Sequence, residues 1–131
     1  MNRFVEYNAN PKHARVGDCV IRAVSNAIGK EWGETYIDVC LQGYTMADMP
    51  SSNVVWGAYL KQKGFERMPV PNNCPDCYTL EDFCKDHDKG VFVVALPQHV
   101  VCVKDGYYFD TWDSGSEVPL YAWKKGEQHG I

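Results

Sequence analysis

The sequence predicts an α+β fold, with helices first and an antiparallel sheet after them. Three observations predict it. Apolar residues recur at helical spacing up to about residue 90. From Val91 the period changes to a continuous apolar run and then to alternation. The pairs that follow are separated by the turn strings Lys104-Asp105-Gly106 and Asp113-Ser114-Gly115-Ser116. At 131 residues the chain reads as a single domain over 1–131, long enough for one real core.

The first sixteen residues, with Asn8, Asn10 and Pro11, read as an extended segment and turns. A helix then starts at Gly17-Asp18-Cys19 and stops at Gly29, with Val20, Val24, Ala27 and Ile28 on one face. A second helix is expected over 33–41, ended by Gly43, with Trp32, Tyr36, Val39 and Cys40 inward. Ser51-Ser52-Asn53 caps a third over 53–63, whose stripe is Val55, Trp56, Tyr59 and Leu60. Residues 65–70 read as a short extended piece and 69–75 as a loop. Thr79 opens a short fourth helix with Asp82 three residues on, close to a capping box. Residues 91–96 read as a central strand, 98–103 and 107–112 as a hairpin, and 118–123 as an edge strand that tolerates Pro119. The tail from Lys124 reads as frayed.

Cys19 sits in the first turn of the first helix. The unpaired N–H groups and positive dipole end there favour a thiolate. A nucleophilic sulfur needs a base, and a base needs an orienter. His99 opens the second strand, and Asp110 lies on the next strand across the tight 105–106 turn. Strands so joined are paired, so the start of one lies near the end of the other. Asp113 is the alternative partner for His99. Trp112 could shield the pair from water.

In this order the chain resembles a papain-like cysteine peptidase in its small form. The Asp18-Cys19 pair and the hairpin between His99 and Asp110 are similar to bacteriocin-processing peptidases. Gly17-Asp18-Cys19-Val20-Ile21-Arg22-Ala23 resembles the active-site helix of ovarian-tumour-type deubiquitinases. The same string with the late Tyr108-Phe109-Asp110-Thr111-Trp112-Asp113 is similar to small proteins of phages and gut bacteria. The resemblance implies a papain-like fold and acyl transfer on a peptide or isopeptide bond. Its catalytic residues would be Cys19, His99 and Asp110, with no cofactor and a peptide or protein as substrate. The family's glutamine six residues before the nucleophile is replaced by His13. The deubiquitinase aspartate three before it is replaced by Val16. Asn8, Asn10, His13 and, less favoured, Gln98 are therefore the candidates to join the Cys19 N–H in an oxyanion hole. Asp18 disfavours a thiolate unless it turns away to cap the helix.

A second reading competes. Cys74, Cys77, Cys84 and His87 have the spacing C-x2-C-x6-C-x2-H, which suits a structural Cys3His zinc site in a non-catalytic interaction module.

The formal net charge is −4 without a basic stripe, which argues against nucleic acid and anionic membrane as partners. No apolar run has membrane-spanning length and no export signal opens the chain, so a cytoplasmic location is the expectation. Six cysteines in that setting are expected as reduced thiols. Oligomeric state is not legible.

Overall fold

A computed structural model describes residues 2–71 and 77–126. The elements in chain order are β1 Phe4–Glu6, α1 Cys19–Ile28, α2 Trp32–Met46, α3 Asn53–Gln62, β2 Phe65–Pro69, α4 Leu80–Asp86, β3 Val91–Leu96, β4 His99–Lys104, β5 Tyr107–Asp110 and β6 Tyr121–Lys125. The fold is mixed α+β, four helices with one six-stranded sheet of order β1-β5-β4-β3-β6-β2. None of these helices is long and apolar enough to cross a membrane.

The sheet separates two apolar clusters. On one side Val20, Val24 and Ala27 of α1 pack with Val39 of α2, with Val55, Trp56 and Leu60 of α3, and with Val93, Ala95, Val100 and Cys102 of the sheet. On the other side Leu80 and Phe83 of α4 pack with Phe92, Val94, Val101, Val103 and Tyr108. Strand β3 is thus covered on both faces, which explains why its sequence is a continuous apolar run rather than an alternation. The α1 and α3 stripes are buried as their spacing predicts, except that Ile28 at the end of α1 is only half-buried. Gly29 ends α1 in the left-handed region at φ 73°. Thr79 and Asp82 form a reciprocal capping box on α4.

Several expectations are corrected. The sheet is not purely antiparallel, because β1 pairs in parallel with β5. Three residues are too short a run to show a period. The strand at the C-terminal end is not an edge: β6 lies between β3 and β2, and β2 takes the edge. It begins after Pro119, since a proline inside a central strand would delete a ladder hydrogen bond. Lys124 and Lys125 belong to β6 and are not frayed. Helix α2 runs through Gly43 and stops at Ala47, which takes the left-handed conformation at φ 55°. Gly43 serves packing instead: a Cβ there would lie 2.7 Å from the Asp48 carbonyl oxygen. Not every cysteine is a reduced thiol. Cys77 is disulfide-bonded, whereas Cys19, Cys40, Cys84 and Cys102 are free.

Candidate active site

Helix α1 packs across β4, and its first residue, Cys19, meets the first residue of β4, His99. The strand starts there because Pro97 and Gln98 make a two-residue turn, with Gln98 at φ 55°. Strand β5 runs back along β4 with Cys102 opposite Phe109, which brings Asp110 alongside the start of β4. His99 Nε2 and Asp110 Oδ2 are 2.6 Å apart. Nε2 being so engaged, Nδ1 is the ring atom left to serve the sulfur, and the imidazole and the Cys19 thiol are close enough to shift each other's titration. The three predicted residues therefore converge on one ring.

The carboxylate is anchored from every direction. Asp110 is 1% exposed. Ser114 Oγ donates to Oδ2 at 2.6 Å, the Thr111 N–H donates to Oδ1 at 2.8 Å, and the Tyr7 N–H, just past β1, donates to the Asp110 backbone carbonyl. Asp113, the other candidate orienter, is committed elsewhere: its Oδ1 accepts from Tyr108 Oη at 2.5 Å and from Gly115 N–H. The Trp112 ring lies 5.0 Å from the His99 ring, tilted by 39°.

The electrostatics follow from these contacts. Burial alone would lower the His99 pKa. The hydrogen bonds to Asp110 and Cys19 and their negative charge outweigh it, and the ring titrates at about 9. Burial pushes the Cys19 thiol up. The His99 hydrogen bond and charge, the Val100 N–H and the Arg22 charge more than offset it, so its pKa falls below the ordinary thiol value. Both shifts favour a thiolate–imidazolium pair. By contrast the Cys84 and Cys102 thiols, buried among apolar side chains, are raised to about 12 and stay protonated.

Asp18 does not cap the helix. Its carboxylate takes a 2.9 Å ion pair from Arg22 Nε and hydrogen bonds from Trp32 Nε1 and Asn10 Nδ2. The first-turn N–H groups near Cys19 are thereby left without a side-chain cap from Asp18. Of the proposed oxyanion donors, Asn8 gives its Nδ2 to the Ala14 carbonyl and Asn10 gives its Nδ2 to Asp18, so both amides are committed. His13 is exposed in the left-handed region. Gln98 is exposed in the turn beside His99, outside the strand, so the alternation that set it on the far face does not apply.

Beside the start of α1 lies a largely apolar cleft of about 310 Å³. Its walls are Val16, Gly17, Asp18, Val20 and Ile21, then Trp32, Tyr36 and Cys40 of α2, then Met49, Pro50 and Ser51. The loop after α2 contributes one wall of this cleft. The sequence places Tyr36 and Cys40 inward with Val39, but Tyr36 is exposed and both line this groove, because a helical wheel looks the same whether the face meets core or groove.

The zinc pattern does not assemble as a ligand set among the described residues. Cys74 lies outside them. Cys77 is disulfide-bonded, Cys84 sits in the core, and His87 stacks on Phe83 at 4.1 Å with Nδ1 against the Phe83 carbonyl. The helical spacing on α4 points Cys84 into the core, against the ligand spacing C-x2-C-x6-C-x2-H.

Comparison with protein-family models, with curated proteins and with solved structures returns no match.

Proposed function

We propose that this chain is a thiol hydrolase that cleaves a peptide or isopeptide bond, with Cys19 as nucleophile, His99 as general acid–base and Asp110 as orienter. The observation that carries the reading is the meeting of Cys19 at the start of α1 with His99 at the start of β4, whose Nε2 lies 2.6 Å from the buried Asp110 carboxylate. A nucleophile helix packed on a sheet that supplies the other two groups is the papain-like arrangement, and we read the fold as a small member of that class.

In the reaction the Cys19 thiolate attacks the scissile carbonyl carbon. A C–S bond forms as the carbonyl π electrons move to oxygen. The oxyanion faces the Cys19 N–H at the uncapped helix start. Collapse re-forms the carbonyl and breaks the C–N bond, while the imidazolium gives its proton to the leaving amine. Water then adds to the thioester, its proton passes to His99, and the carboxylic acid leaves as the thiol is restored. Asp110 holds the ring tautomer with Nε2–H throughout. Trp112 shields the ring from bulk water, and the apolar cleft beside α1 accepts an apolar stretch of the substrate chain.

The test is alkylation by iodoacetamide near neutral pH with mass-spectrometric readout. Cys19 reacts faster than Cys40, Cys84 and Cys102, and His99→Ala removes the difference. Equal slow labelling of these thiols would overturn the hydrolase reading.

A further inference from the structure

Arg22 lies one turn into α1, three residues after Cys19, and its side chain is 9% exposed. A lone buried guanidinium would be costly, so its partners matter. They lie on both sides of the reacting pair. Nε meets Asp18 Oδ1 at 2.9 Å on the residue just before the sulfur. Nη1 lies 3.6 Å from Asp110 Oδ1 and 3.4 Å from Thr111 Oγ1 on the strand that orients the imidazole. The Asp18 and Asp110 side chains are 7% and 1% exposed, so little water screens either contact.

We infer that Arg22 is a positioning residue of the thiol site, a planar fork that ties the helix carrying the nucleophile to the carboxylate that holds its base. The inference rests on the hydrolase reading and deepens it. Cys19 and Asp110 are 91 positions apart in the chain, and a slip of α1 along β4 would part sulfur from ring. A guanidinium engaged with a carboxylate on each element resists that slip, which a single-point ammonium cannot do as well. Arg22 also balances Asp18. Left alone beside Cys19, that carboxylate would oppose the thiolate. The ionisable groups facing this cluster are Asp18 and Cys19 at the start of α1, His99 on β4 and Asp110 on β5. The exposed Arg15 is engaged by the Thr111 carbonyl and by Glu6 at 3.5 Å, both outside the cluster. Losing Arg22 therefore removes a cation and loosens the imidazole's orienter, and both changes act against the thiolate.

The test is the pH profile of Cys19 alkylation by iodoacetamide in the full chain, with folding checked by circular dichroism. Arg22→Gln moves the acid limb upward by about one pH unit, read as about a tenfold slower reaction on the steep part of the limb. Arg22→Lys keeps the charge, folds if the glutamine variant does not, and moves the limb the same way by about threefold in rate. A folded Arg22→Gln or Arg22→Lys protein that keeps the wild-type profile overturns the inference while leaving Cys19 a nucleophile. A wild-type Cys19 without fast, His99-dependent alkylation overturns the hydrolase reading, and this inference with it.

Discussion

Asp110→Asn changes the charge of the site and keeps its shape. In the native chain the groups on Asp110 donate to it: His99 and Ser114 to Oδ2, Thr111 N–H to Oδ1, with Arg22 facing Oδ1. The Thr111 N–H and the guanidinium have no acceptor capacity. The amide oxygen of an asparagine must therefore stay with them, and its NH2 turns toward His99. Nε2 can then only accept, which places the ring proton on Nδ1, facing the sulfur. A ring so fixed cannot take the thiol proton. The magnitude comes from the ring's titration at about 9 against 6.5 for a free imidazole. That gap is about 3 kcal/mol at 1.36 kcal/mol per decade, and Asp110 shares it with Cys19. Even half of it lost moves the His99 titration down by at least about one pH unit, with alkylation of Cys19 at pH 7 slowed by about tenfold. NMR titration of the His99 ring in both proteins reads the first quantity and iodoacetamide the second. An unchanged His99 titration in the variant, or a wild-type ring near 6.5, would refute the reasoning.

Hydrolysis of a peptide substrate should follow a bell in pH. The imidazolium that protonates the leaving amine is lost as pH rises through about 9, and the thiolate is lost as pH falls through the lowered Cys19 value. The two limbs report the coupled pair, and a single-limb profile would contradict it. Ser114→Ala deletes a buried hydrogen bond to Asp110. It should lower stability by about 1.5–3 kcal/mol in urea denaturation. Met49→Asp places a charge on the rim of the apolar cleft. It should raise KM for an apolar peptide several-fold while Cys19 alkylation stays at the wild-type rate. Gly43→Ala should destabilise by about 1–3 kcal/mol, because the new methyl meets the Asp48 carbonyl oxygen and the backbone must shift.

Residues whose role depends on local spacing were legible. Val24, Val55, Trp56 and Leu60 are buried where their period puts them, and Thr79 caps α4 as its partner Asp82 predicts. The meeting of His99 with Asp110 was legible for a related reason: a tight hairpin fixes which residues of two strands are neighbours. Arg22 was passed over. Nothing in a helical wheel marks an arginine on a buried face as the partner of a carboxylate that lies 88 residues away.

By itself, then, the sequence determined the α+β class, most helix faces, the central strand and the hairpin that carries imidazole and carboxylate. These follow from periodicity and turn chemistry, which act over a few residues. Only the tertiary structure decided the place of β1 and β6 in the sheet, the choice of Asp110 over Asp113, and the pairing of Asp18 with Arg22 instead of a helix cap. Each of these is a competition among several possible partners, most of them distant in the chain. It is settled by which arrangement leaves no buried charge or backbone group unpaired, and a linear pattern does not contain that information.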